Sequence, residues 1–148
     1  MDNAQISNQQ QLLMNLIFES RLREMMQFVP GLPTLDFITV AEGTPLTLAV
    51  GTAEEEVIEY LLLRKADPNF ADNQTLPLLV AIERSVEIDK NTEDGDEHPL
   101  AIIELLLRYG ADFTKKDPTG ESAYDFARRV RHPAEDLFKR LLQERTSG

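Results

Sequence analysis

Six of the thirteen residues in the stretch EIDKNTEDGDEHP, positions 87–99, are carboxylates: Glu87, Asp89, Glu93, Asp94, Asp96 and Glu97. Oxygen ligands packed this densely suggest a hard cation, calcium above all. A calcium loop alternates its ligands, places glycine sixth and closes on a glutamate at the twelfth position. The segment beginning at Asp89 supplies oxygens at Asp89, Asn91 and Glu93, but Gly95 falls seventh and Leu100 stands twelfth. The pattern fails, and no metal is expected there. A solvated loop able to face a partner is the expectation instead.

Nucleophilic catalysis is equally poorly supplied. The chain has no cysteine and only two histidines, His98 and His132, each directly before a proline that can open a helix. Helices carrying them should lie some 8–10 Å apart, too far for a shared metal. No glycine loop of the phosphate-cradling kind is present. Paired carboxylates would need a concave pocket to act as acid and base. No enzyme activity and no cofactor are expected.

Charge narrows the partners. The 148 residues carry a formal charge of −11, which disfavours a nucleic-acid backbone because counterion release needs a basic surface. The charge is polarised: residues 1–107 hold 19 acids and 6 bases, and residues 108–148 hold 7 acids and 9 bases. The N-terminal stretch lacks a basic leader, and no apolar run is long enough to cross a bilayer. One cytoplasmic, monomeric domain spanning 1–148, without nucleic acid or membrane among its partners, is the expectation.

The elements that position these residues repeat. VIEYLLLRKADPN at 57–69 and IIELLLRYGADFT at 102–114 superimpose, and GTPLTLAV, TLPLLVAI and GESAYDFA recur around them. Leu61 and Leu62 lie 33 residues after Phe28 and Val29, whereas Leu106 and Leu107 lie 45 after Leu61 and Leu62, so the second interval holds 12 extra residues. Four units follow, at about 9–41, 42–74, 75–119 and 120–145, with the acidic run near 87–98 inserted in the third. Each predicts two short helices, the inner opening at Pro45 or Pro77 and the outer burying its leucines. Neither helix hides its apolar side alone, so units must stack, with polar outer sides on the end units.

GTPLTLA and GADFTKKDPTGESA resemble the ankyrin-repeat family, departing from its Thr-Pro-Leu-His signature at Thr47. The resemblance implies an all-α solenoid of about four helix-turn-helix units joined by β-hairpin loops. It also implies a protein partner gripped by hairpin tips and inner helices. Transferred by register, the hairpin residues are Phe37, Ile38, Thr39 and Val40, then Phe70, Asn73 and Gln74, then Lys116, Pro118, Thr119 and Glu121. The inner helices contribute Thr52, Glu83, Arg84, Arg128 and Arg129. Phe37 and Phe70 stand out as aromatic anchors or as packing between hairpins; Arg128, Arg129 and Arg131 form a basic cluster for an acidic segment or a solvated cap. The expected function is a non-catalytic binding module of inhibitor, adaptor or immunity-like type, acting on a partner with a basic surface. The alternative is a regulatory or effector protein whose acidic insertion binds a cation or a basic peptide.

Overall fold

A computed structural model describes residues 3–39, 43–52, 54–72, 75–91 and 100–147, with 3–7, 86–91 and 146–147 described by their backbone. Its helices are α1 (Asn3–Phe18), α2 (Leu22–Phe28, continued by a 3-10 turn at Val29–Gly31), α3 (Pro45–Thr52), α4 (Glu55–Leu63), α5 (Pro77–Asn91), α6 (Ala101–Arg108), α7 (Ala123–Val130) and α8 (Ala134–Ser147). The inner helices α1, α3, α5 and α7 pack in sequence, and each is backed by the outer helix that follows it. This is the all-α stack expected. Among the described residues there are no strands: the anticipated hairpins reduce to single bridges, Thr39 to Gly43 and Lys116 to Ser122. Their arms are too short for a second pair, because Pro45 and Ala123 already begin helices.

Local chemistry starts and stops these helices. Thr44 and Thr47 cap α3 reciprocally: the Thr47 N–H donates to Thr44 Oγ1 and the Thr44 N–H to Thr47 Oγ1, both at 3.0 Å. Thr47 therefore caps its helix at the position where the signature has histidine. Ser122 and Asp125 form the same box at α7. The outer helices α4 and α6 end on left-handed residues, Lys65 at φ 75° and Gly110 at φ 100°. In both, the following alanine N–H returns to a leucine carbonyl, Ala66 to Leu61 and Ala111 to Leu106, at 3.0 Å.

Units are joined by a bond that repeats with the sequence. Asp36 Oδ1 accepts the Asp67 N–H at 2.9 Å, and Asn69 Oδ1 accepts the Asp112 N–H at 2.7 Å. The two pairs are separated by 31 and 43 residues, and the difference of 12 is the insertion. Asn69 also donates from Nδ2 to the Gly110 carbonyl at 3.1 Å, and Lys115 Nζ donates to the Asn69 carbonyl at 2.6 Å. Side-chain oxygens of Thr34, Asp67 and Asp112, at one register, each close a turn onto the N–H two residues on. Between the inner helices the same register holds Ala49, Ala81 and Ala127, all buried, so the backbones can approach closely.

The leucine runs are only partly buried. Leu61, Leu62, Leu105 and Leu106 enter the core, but Leu63 is 57 % exposed, because three consecutive helical residues cannot share one side. The SNQQQ segment, residues 7–11, lies within α1. The outer side of the first unit is mixed: Asn8, Gln11 and Asn15 are exposed, and so are Leu12, Phe18 and Met26. α5 runs on to Asn91, which places Glu87 and Asp89 on a helix rather than in the loop expected from their composition. Glu93, Asp94, Asp96 and Glu97 lie outside the described residues.

Two outcomes are expected. Lys65 occupies the conformation that Gly110 adopts in the next unit, so Lys65→Gly should raise the unfolding free energy in urea by about 0.5–1 kcal/mol. The Thr114 hydroxyl and N–H hold the Asp112 carboxyl below its ordinary range, and the Ser122 N–H does the same for Asp125. Carboxyls lowered on folding contribute stability that is complete above the unfolded value and is lost as pH falls through the folded one. The urea midpoint should therefore drop below about pH 4, and Asp112→Ala should lie beneath the parent at neutral pH and converge on it in acid.

Candidate protein-binding surface

Inner helices in common register present common rows. Leu48 on α3, Val80 on α5 and Phe126 on α7 each immediately precede the buried alanine, and all three are half-buried. The next row is Gly51, Glu83 and Arg129, followed by Thr52, Arg84 and Val130. An apolar line thus runs across the units, bordered on one side by charge. Arg129 bonds Glu121 of the last hairpin through Nε and Nη2, both at 3.0 Å. Glu121 first, and Glu83 on the neighbouring unit as well, hold the Arg129 guanidinium above its ordinary value. Arg129 also lies 5.0 Å over the Phe126 ring.

The hairpins border this line. Gly43 has φ 79°, and a Cβ there would meet Asp72 Oδ2 at 2.9 Å, so the first hairpin touches the second where only glycine fits. Ile38 is exposed, while Thr39 and Phe70 are half-buried. Phe37 is 8 % exposed and belongs to the core, so in the folded chain it is structural rather than a contact for a partner. Its type suggested an anchor, but its register places it beneath the hairpin. Val40, Asn73 and Gln74 lie outside the described residues. Lys116, Pro118 and Thr119 are at the last hairpin tip, where Asp117 Oδ1 shapes the turn by accepting from the Thr119 N–H and hydroxyl and from the Glu121 N–H. Thr52 donates its hydroxyl to the Ala49 carbonyl at 2.9 Å, Glu83 is exposed and Arg84 half-buried.

Sequence reading missed Leu48, Val80 and Phe126. The signal was present: in each inner segment an apolar residue directly precedes the alanine, as Leu-Ala, Val-Ala and Phe-Ala.

The basic cluster lies elsewhere, at the C-terminal end of α7. A groove of about 880 Å³ there is lined by Arg128, Arg129, Arg131, His132, Glu135 and Asp136, among others. Arg128 approaches Glu135 at 4.0 Å, so this lining mixes both signs of charge. His132 sits at its base, 6 % exposed, beside the buried Ser85 of α5. A serine and a histidine in contact invite comparison with a nucleophile and its base, but the protons are in the wrong place. His132 Nδ1 accepts the Ala134 N–H at 3.0 Å, which leaves the ring proton on Nε2, the atom facing Ser85. Ser85 Oγ donates to the Ile82 carbonyl at 3.1 Å. A general base needs a free Nε2, so this pair joins the last unit to the third and activates nothing. His98 lies outside the described residues.

Among the described residues no group of three or more His, Cys, Asp or Glu is placed to hold a metal, and no helix is long and apolar enough to cross a membrane.

Comparison with known proteins agrees with this geometry. The ankyrin-repeat family model matches residues 43–73, the second unit. The human ASB11 ankyrin repeat domain, known from a crystal structure, superimposes with a TM-score of 0.61 at 22 % identity, over 76 % of this chain and 45 % of that one. The chain therefore spans less than half the length of that domain. No curated protein matches. Ankyrin repeats generally mediate protein–protein interaction and are typically non-enzymatic. One repeat is matched in sequence and the stack of helix pairs in structure, so the chain carries an ankyrin repeat at residues 43–73 and has the fold of an ankyrin-repeat domain.

Proposed function

We propose that the chain is a non-catalytic module that binds a protein partner along the Leu48–Val80–Phe126 row and the adjoining hairpin edge, inhibiting or scaffolding that partner. The observation that supports this most directly is the row itself. Three half-buried apolar side chains at one register, with Glu83 and Arg129 beside them, combine an apolar strip with charge that sets orientation. The partner carries a basic surface, since residues 1–107 hold 19 acids against 6 bases and attract such a surface during encounter. Cytoplasmic inhibitors and adaptors of basic proteins fit this description.

The partner would be captured from the source organism on the immobilised chain, identified by mass spectrometry and then measured with purified components. Phe126→Asp should weaken binding more than about tenfold, by removing an apolar contact and burying a charge. Glu83→Lys should slow association and flatten its dependence on salt. A partner whose affinity and salt dependence both ignore these substitutions would show that it binds elsewhere.

A further inference from the structure

We propose that Phe18, Gly51 and Glu83 form a notch on the inner-helix side of the stack that takes an arginine side chain of the protein partner. The guanidinium lies against the Phe18 ring and toward the Glu83 carboxylate, with the stem of the side chain over Gly51. This rests on the partner-binding reading and deepens it: it names the group that the partner presents and extends the surface beyond the Leu48–Val80–Phe126 row.

Register brings the three residues together. α1 and α3 pack side by side and share one pattern of burial. Leu13 and Leu46, Met14 and Thr47, Leu16 and Ala49, and Ile17 and Val50 are all buried. The next residues, Phe18 and Gly51, are both exposed. The row of Gly51, Glu83 and Arg129 therefore begins one helix earlier, at Phe18, where the exposed side of α1 runs into the inner-helix side. Phe18 is 68 % exposed, more than any other large apolar side chain among the described residues. A Cβ at Gly51 would meet nothing within 4 Å, so the surface between Phe18 and Glu83 is open. Adjacent helices stand roughly 8–10 Å apart, which leaves over Gly51 a gap that one long side chain can cross.

The last unit shows what such a ring and carboxylate hold. Arg129 lies 5.0 Å over the Phe126 ring and bonds Glu121 through Nε and Nη2, both at 3.0 Å. Ring, guanidinium and carboxylate thus make one group. Arg128 over Tyr124 and Arg145 over Phe113 repeat the ring contact. At Phe18 the ring and the carboxylate recur, and the ring faces water. Arg21, close by in sequence, is engaged by Glu19 at 3.3 Å and Glu24 at 2.5 Å. Glu83 acts on Arg129 only behind Glu121. Charge favours a cation here, because the exposed Glu54, Glu55 and Glu56 follow directly beyond the end of α3. An arginine suits the notch better than a lysine, since its planar head stacks on a ring while its N–H groups bond a carboxylate.

A capped peptide of alternating glycine and arginine, and the same peptide with uncharged citrulline in place of arginine, test this by NMR on the isotope-labelled chain. The amide signals of Phe18, Gly51 and Glu83 should shift with the arginine peptide and stay in place with the citrulline one. Phe18→Ala should raise the Kd about two- to fivefold by removing the ring contact, and Glu83→Gln should also raise it. Gly51→Leu should fill the notch and abolish the shifts at Phe18 and Glu83 with folding intact, since leucine suits a helix better than glycine. Shifts confined to Glu54, Glu55 and Glu56, an equal response to citrulline, or a Kd that Phe18→Ala and Gly51→Leu leave unchanged would each overturn the proposal. A captured partner released by Phe126→Asp but indifferent to Phe18→Ala and Gly51→Leu overturns the notch and leaves the partner-binding row standing. Arginine in the notch of a chain whose partner ignores Phe126→Asp does the reverse.

Discussion

The structure depends on one constraint: no helix pair in this chain can bury its own apolar side, so each must be held at close range by the next. Two devices set that range. At the hairpin bases, Asp36 and Asn69 each accept the aspartate N–H of the following unit, at 2.9 and 2.7 Å. Between the inner helices, Ala49, Ala81 and Ala127 leave room for the backbones to meet. Neither device is strong alone, since a net hydrogen bond contributes about 1 kcal/mol and alanine buries little area. Acting at one register in successive units, they keep the stack in phase. The aligned row of Leu48, Val80 and Phe126 is a consequence of that phase, because each stands next to the alanine that fixes it.

Much of this was legible because the constraint repeats. Leu61 and Leu106 announced the register, and the interval between them announced the inserted residues. Residues whose roles depend on facing were harder. Phe37 has the type of a hot spot and the position of a core residue; its neighbour Ile38, less conspicuous in sequence, is the one that reaches water. Leu63 reads as core by composition and is exposed by geometry, since a helix turns about 100° per residue and the third leucine of a run leaves the buried side. The mixed outer side of α1 was also hidden: a polar count suggests a cap, but Leu12 and Phe18 are exposed alongside Asn8, Gln11 and Asn15.

Ser85 and His132 show why residue types alone do not define chemistry. A histidine activates a serine only when its facing nitrogen is free to take a proton. Here the Ala134 N–H occupies Nδ1, and the ring proton is displaced to Nε2. Both groups are buried, and Ser85 has its own acceptor in the Ile82 carbonyl. The same contact that would be catalytic in one tautomer is a joint between units in the other. It supplies α7 and α8 with a polar link to α5 at a level where the hairpin bonds do not reach.

That joint also locates the insertion relative to the binding row. By register Ser85 of α5 stands beside the end of α7, since Arg84 is level with Val130. α7 stops there, but α5 continues to Asn91, giving it 15 residues where α3 and α7 have 8. At 1.5 Å per residue the extra turns carry α5 roughly 10 Å beyond its neighbours. They extend from its C-terminal end, and the hairpins adjoin its N-terminal end. The added chain therefore leaves the unit-to-unit bonds, the alanine contacts and the Leu48–Val80–Phe126 row in place. Acidic residues can be accumulated there without disturbing the surface proposed for the partner, because the insertion lengthens an inner helix at the end that the stack does not use to keep its phase.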